Sequence, residues 1–256
     1  MTSLADEIYV LRHEDRDQVE VYDVNSYHLL RRLTVPDARR FSDMTSCKHY
    51  HSVYIAYRGV KNCVHRLDVQ GTVTRWAVND QPWGLSVNAA HNVLVACSVV
   101  PIIKEFSTLG DLLREVTLPR DFISPGHAIQ THTGEFIVCH GRRNDPVHRV
   151  CLMSADGRRI VHSHGEQRGS DTGQCNRPRH LAVDDNEFVF VADRVNRRVT
   201  LLSPTLEYVR QVVSRDQLKG EPRRLYLDTQ QRLLYVAVHE EFKDSNDKGH
   251  VVVFSV

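Results

Sequence analysis

Short, continuously apolar runs recur along the chain at nearly even intervals. They are Ile8-Tyr9-Val10-Leu11-Arg12, Val53-Tyr54-Ile55-Ala56-Tyr57, Val93-Leu94-Val95-Ala96-Cys97, Phe136-Ile137-Val138-Cys139-His140, Val189-Phe190-Val191-Ala192-Asp193 and Leu234-Tyr235-Val236-Ala237-Val238. Their first residues lie 45, 40, 43, 53 and 45 positions apart. A polar loop follows each run, then a second apolar run closing on Asp or Ser: 19–23, 64–68, 103–107, 150–154, 199–203 and 251–255. A weaker, alternating run comes next, as in Val73-Thr74-Arg75-Trp76 or Tyr208-Val209-Arg210-Gln211-Val212. Ahead of four core runs stands Pro-x-x-apolar: Pro82-Trp83-Gly84-Leu85, Pro125-Gly126-His127-Ala128, Pro178-Arg179-His180-Leu181 and Pro222-Arg223-Arg224-Leu225.

These runs read as β-strands. They are short, rich in Val, Ile, Leu and Tyr, and bounded by Gly, Pro, Asn and Asp clusters. No segment sustains a 3.6-residue period. Runs that are apolar at every position need cover on both faces, whereas the alternating runs suit outer strands with one wet face. Four strands per repeat of about 45 residues is the signature of one propeller blade. The chain is therefore expected to be all-β: one six-bladed β-propeller spanning residues 1–256. The antiparallel blades fall near 1–35, 36–79, 80–119, 120–176, 177–220 and 221–256. Residues 1–6 are short and polar, so blade one is expected to start at its second strand, and blade six to stop after its third. That leaves a seam, expected to be closed by a short N-terminal segment, by a partner chain or by the rest of a longer protein, with oligomerisation through it possible.

One stretch carries a family signature. From Gly165 to Val199 the chain reads G-x-x-x-G, then P-x-x-L-A-V-D, then V-F-V-A-D-x-x-N-x-R-V. This resembles the NHL repeat of the six-bladed propellers that often end TRIM-type ubiquitin ligases. Residues 222–256 follow the pattern less closely. Elsewhere the Asp of the V-A-D core, Asp193, gives way to Arg12, Tyr57, Cys97, His140 and Val238. The resemblance implies the fold, and implies that Asp193 ties down its own blade loop. Some NHL-like propellers are amidating lyases with a channel metal, which keeps an enzyme as the alternative reading.

Lys and Arg total 33 against 32 Asp and Glu, so net charge points to no partner class. All but six of the basic residues are Arg, whose planar fork suits carboxylate, phosphate and flat rings. The six cysteines form no C-x-x-C pair and several sit inside apolar runs, so they read as reduced core thiols. With no signal peptide and no long apolar segment, the sequence suits a cytoplasmic protein away from membranes.

No nucleophile elbow, zincin or phosphate-loop motif is present. The spaced glycines Gly165, Gly169 and Gly173 precede a strand rather than a helix, so they read as an inter-blade loop. The pairs His49/His51 and His162/His164 lack an acidic ligand set and read as ordinary surface or hydrogen-bonded histidines. No catalytic residue, metal site or cofactor is assigned.

Antiparallel connectivity sends the loops before the first strand and after the second to one end of every sheet. That end collects Arg39, Arg40, Trp83, His127, Arg142, Arg143, Arg179, His180, Arg197, Arg198, Arg223 and Arg224. The other end collects Glu135, Asp156, Asp184, Asp185, Glu187, Glu207 and Asp228. The sequence thus points to a non-catalytic recognition or scaffold module. Its basic face would take an acidic or phosphorylated protein segment, or single-stranded RNA with Trp83 as a stacking surface. A purely structural, assembly-forming propeller is a further alternative.

Overall fold

The computed structural model describes residues 1–12, 18–35, 40–141, 144–239 and 249–256. The fold is all-β, of the six-bladed β-propeller class: six antiparallel sheets follow one another in chain order. Two compact units, Met1–Val116 and Thr117–Val256, divide the chain.

In the first unit, sheet one comprises β1 (Thr2–Leu4), β2 (Glu7–Arg12), β3 (Gln18–Asp23) and β4 (Leu29–Leu33). Sheet two comprises β5 (Phe41–Cys47), β6 (Ser52–Tyr57), β7 (Cys63–Asp68) and β8 (Val73–Ala77). Sheet three comprises β9 (Pro82–Val87), β10 (Val93–Cys97), β11 (Ile102–Phe106) and β12 (Leu112–Thr117), the last residue crossing the boundary. The six core runs of the sequence are the second strands of the six sheets. Within each unit they are largely buried where neighbouring sheets pack against them. Tyr9, Val21, Met44 and Ile55 close the core between sheets one and two, and Tyr54, Val64, Val93 and Phe106 that between two and three.

The second unit repeats the plan. Sheet four has β13 (Pro125–Gln130), β14 (Phe136–His140), β15 (Arg149–Met153) and β16 (Ile160–His164). Sheet five has β17 (Pro178–Val183), β18 (Val189–Asp193), β19 (Arg198–Leu202) and β20 (Tyr208–Val213). A single helical turn, α1 (Arg215–Leu218), follows; the sequence pattern did not anticipate it. Gln217 Oε1 accepts the Ser214 N–H at 2.9 Å and Leu218 is buried. Sheet six has β21 (Glu221–Asp228), β22 (Leu233–His239) and β23 (Gly249–Ser255), and among the described residues no fourth strand. Each fully buried Leu, Ile or Val contributes about 1.5–3 kcal/mol, and the second strands supply more of them than any other strand position.

The expected missing first strand is present. β1 pairs with β2 through Thr2↔Tyr9 and Leu4↔Glu7 and is buried. Its polar residues escaped a hydropathy reading because β5 takes up the Thr2 hydroxyl and the Ser3 carbonyl. Thr2 Oγ1 and Ser46 Oγ are 2.7 Å apart, and Ser46 Oγ donates to the Ser3 carbonyl at 2.6 Å.

The residues ahead of the core runs form β-bulges in five sheets. The register shifts between Phe41 and Asp43, at Ala96/Cys97 opposite Trp83, between Pro125 and His127, between Pro178 and Leu181, and between Pro222 and Arg224. An extra residue there twists the strand and re-aims its neighbours. In the first unit the re-aimed groups reach the next sheet. Ser42 Oγ donates to the Pro82 carbonyl at 2.7 Å, and Asp43 Oδ2 accepts the Leu85 N–H at 2.8 Å. Replacing Asp43 with Ala should therefore lower stability by about 1–3 kcal/mol through the buried amide it abandons. Denaturant unfolding measures this.

Candidate functional site

The bulged strand starts of the second unit bring together the most concentrated chemistry among the sequence candidates. His127 and Arg224 follow the bulge in their sheets, after Gly126 and Arg223, while His180 lies within its own with Arg179. His127 and His180 are buried, and their rings stack with centroids 3.8 Å apart and planes at 28°. His180 reaches on to sheet six, where its Nδ1 accepts the Leu225 N–H at 3.4 Å. That bond leaves the proton of the neutral ring on Nε2, as a donor. Gly126 sits at a close approach: a Cβ there would lie 3.2 Å from the Arg179 carbonyl oxygen and 3.3 Å from Cys139 Sγ, tighter than an ordinary contact.

Arg179, next to His180 in β17, and Arg224, next to Leu225 in β21, are half-buried. Burial pushes the Cys139 thiol up to about 12, while the backbone at His127 and the charges of Arg179 and Arg224 pull it down. The Cys139 sulfur thus lies within reach of the charge of both arginines, from sheets five and six. The arrangement can hold an anionic group: two planar cations and two imidazoles.

Other arginines of the expected basic end are engaged in the fold. Arg198 Nε donates to Asp193 Oδ2 at 2.8 Å, and its remaining nitrogens donate to the carbonyls of Ser170, Asp171 and Gln174. Asp193 also accepts the Asn176 N–H and Asn196 Nδ2. Burial raises its carboxyl above the ordinary range against these donors. Asp193 therefore ties down the loop from Gly165 to Asn176, as the sequence resemblance implied, and Arg198 is a loop clamp. Arg194 donates to Glu221 Oε2 at 2.6 Å, and Arg223 pairs with the same carboxylate at 3.2 Å. Arg197 is half-buried in a left-handed turn with φ 54°. In the first unit Arg40 is exposed, and the Arg58 guanidinium lies 3.8 Å from the Trp83 ring centroid. Arg39, Arg142 and Arg143 lie outside the described residues.

The sequence missed the counterpart of the Asp193 clamp. His140 and Arg149 face each other across β14 and β15 as Asp193 and Arg198 do across β18 and β19. Arg149 Nε donates to His140 Nε2 at 2.9 Å, its Nη2 pairs with Asp121, and Phe122 lies over the imidazole at 4.4 Å. An imidazole that accepts from Arg must be neutral. Burial, with Arg149 beside it, lowers His140 to about 3. The usable signal was the aligned position of His140 and Asp193, not the residue type.

The other motif readings resolve simply. All six cysteines are buried, with no disulfide among the described residues. His49 stacks on His91 of the next sheet, at 4.2 Å, rather than acting with His51. His164 is buried and His162 exposed, so that pair shares no environment. No helix is long and apolar enough to cross a membrane.

No protein family and no curated protein sequence matches the chain. Solved structures do. A protein of unknown function from Bacteroides caccae superposes with a TM-score of 0.75 at 13% identity, covering 98% of this chain and 90% of its own. Hydrazine synthase of Kuenenia stuttgartiensis gives 0.67 at 13%, covering 98% and 92%. Virginiamycin B lyase from Staphylococcus aureus gives 0.66 at 9%, covering 97% and 82%. At these identities the likeness is one of fold.

The two clamps make separable predictions. Asp193→Ala strands a mostly buried guanidinium and should cost about 3 kcal/mol, read from the unfolding midpoint. His140 has a folded pKa near 3 against an ordinary 6.5, so the unfolded chain takes up its proton first on acidification. The stability its neutral form carries is full above pH 6.5 and is lost as pH falls toward 3. His140→Asn keeps an acceptor for Arg149 without titrating, and thermal unfolding of that variant should lose this part of the pH dependence.

Proposed function

We propose that the chain is a recognition module that binds an anionic segment of a partner protein at the bulged strand starts of its second unit. One observation carries this reading. The charges of half-buried Arg179 and Arg224 both reach the Cys139 sulfur, as does the backbone at His127, whose ring stacks on His180. Arginine held in place by its surroundings gives up little entropy on binding a carboxylate or phosphate, and charge-assisted hydrogen bonds to such groups are the stronger kind. The NHL-like stretch from Gly165 to Val199 agrees with a non-catalytic propeller of that type. Cytoplasmic residence and the wider basic end, with Arg39, Arg40, Arg142, Arg143 and Arg197, belong to the same proposal.

Protein is favoured over single-stranded RNA by the aromatic residues. Sequence-tolerant RNA binding needs exposed rings beside the cations. Trp83 is half-buried with Arg58 on its ring. The exposed tyrosines Tyr27 and Tyr50 sit in the loops at the opposite ends of their sheets, and Tyr208 opens β20 at that same end.

A second reading is an enzyme that uses His127 and His180 as metal ligands. The buried imidazole pair favours it, and two proteins of similar fold are named as enzymes. Metal analysis of protein purified without chelator tests it. Stoichiometric metal lost in His127→Ala would support this reading over the first.

The double variant Arg179→Glu/Arg224→Glu should reduce binding of acidic and phosphorylated peptides at least tenfold, with an unchanged circular dichroism spectrum. Calorimetry or fluorescence anisotropy reads the loss, and undiminished binding would exclude this site. Retention of single-stranded RNA by the parent chain, weakening steeply with salt, would instead move the ligand class to nucleic acid.

A further inference from the structure

A polar hollow of about 460 Å³ lies in the second unit, outside the candidate site. Three segments wall it. Ser170 comes from the loop ahead of sheet five, Val195 and Asn196 from the turn between β18 and β19, and Ser214 to Asp216 from the end of β20 and the start of α1. Arg198 of β19 and Gln211 of β20 complete the lining. The walls are fixed before any ligand arrives. Asn196 Nδ2 donates to the Gly169 carbonyl at 2.8 Å and to Asp193 Oδ2 at 2.7 Å. Arg198 Nη1 donates to the Ser170 carbonyl at 2.8 Å, and the N–H of buried Leu218 donates to the Ser214 carbonyl at 3.2 Å. A site already in place gives up little ordering entropy on binding.

The chemistry of this hollow is unspent. Among the described residues, the side chains of Gln211, Arg215 and Asp216 and the Ser170 hydroxyl make no hydrogen bond or ion pair. Asn196 uses both amide hydrogens, while its Oδ1 accepts none from the described residues. Arg198 uses four of its five N–H groups, and Nη1 keeps one. Thr200 stands two residues beyond Arg198 and directly opposite Gln211, so it shares their face of the sheet. Its hydroxyl is buried and has no partner among the described residues. Buried polar atoms are nearly always satisfied, so an orphan on the face of a polar hollow calls for a group from outside.

We infer that this hollow binds a small anion carried on a hydroxylated body, of the sugar phosphate class. Arg198 and Arg215 against Asp216 leave an excess of positive charge, which selects an anion. Guanidinium groups bind phosphate through charge-assisted hydrogen bonds, the stronger kind. The Gln211 amide and the Ser170 hydroxyl add donors to the same group. Asn196 Oδ1 and the Asp216 carboxylate are acceptors and cannot serve a phosphate. They need donors, and hydroxyls on the body of the ligand supply them. Among the described residues Val195 is the one apolar member of the lining, and no aromatic ring joins it, so a flat apolar ligand gains little there. The lining shares no residue with the strand starts that carry His127, Arg179, His180 and Arg224, so this site does not rest on the recognition reading.

Isothermal titration of the full chain with glucose 6-phosphate, with glucose and with inorganic phosphate tests this. The expected result is one saturable site for the sugar phosphate, with glucose and inorganic phosphate each roughly tenfold weaker or more because each supplies half of the contacts. Arg215→Ala, on the exposed side of α1, should weaken the sugar phosphate by roughly fivefold or more and leave thermal unfolding unchanged. Should that variant fold poorly, the parent chain supplies a second measurement: the backbone amide resonances of Ser170 and Asp216 should move during the titration. Absence of sugar phosphate binding would overturn the proposal. Equal affinity for inorganic phosphate or for glucose would overturn the ligand class. Undiminished binding in a well-folded Arg215→Ala chain, with loss in Arg179→Glu/Arg224→Glu, would place the anion at the strand starts and overturn this site.

Discussion

A sheet of four short strands with an apolar residue at every position of its second strand cannot exist alone. Both faces must be covered, and only another sheet of similar twist covers a sheet evenly. From that need follow the repeat length, the buried second strands and the pairwise cores linking sheets one to three and four to six. The strand starts raise a harder problem, because neighbouring sheets approach most closely where backbone polar groups still need partners. The recurrent bulge answers it by aiming a side chain at the adjoining sheet. Asp43 does so by accepting the Leu85 N–H, and His180 by accepting that of Leu225. The candidate site is then built from the same positions that hold the sheets together.

The two arginine clamps show one geometry solved with two acceptors. A carboxylate at Asp193 and an imidazole at His140 sit at the same register, each facing an arginine at the start of the third strand. The loop ahead of each sheet finishes the enclosure. Three carbonyls of residues 170–174 surround Arg198, and Asp121 with Phe122 surrounds Arg149. What the geometry demands is an acceptor that tolerates burial, and a neutral imidazole meets that demand as a carboxylate does.

Much of the fold was legible because burial on two faces leaves a plain mark in hydropathy. Val93 to Ala96 and Val189 to Ala192 could be little else. β1 was illegible because Thr2 and Ser3 are buried by hydrogen bonds to and from Ser46, and polarity then misreports position. The site was half legible. Antiparallel connectivity assigned the arginines to one end of their sheets, but connectivity is silent on which of them the fold uses. Arg198 and Arg194 are consumed by Asp193 and Glu221. The stacking of His127 on His180 joins strands 53 residues apart, and only the packing of sheets four and five sets that distance.

The buried thiols have a use of their own. Burial pushes Cys97, Cys139 and Cys151 up to about 12. At neutral pH that leaves only a trace of reactive thiolate, even were reagent able to enter. Alkylation of each sulfur must then wait for its surroundings to open. Cys47 and Cys63 report on sheet two, Cys97 on sheet three, Cys139 and Cys151 on sheet four, and Cys175 on the loop that Arg198 holds. The chain carries its own set of clocks, from which the order in which the blades breathe can be timed without adding a single label.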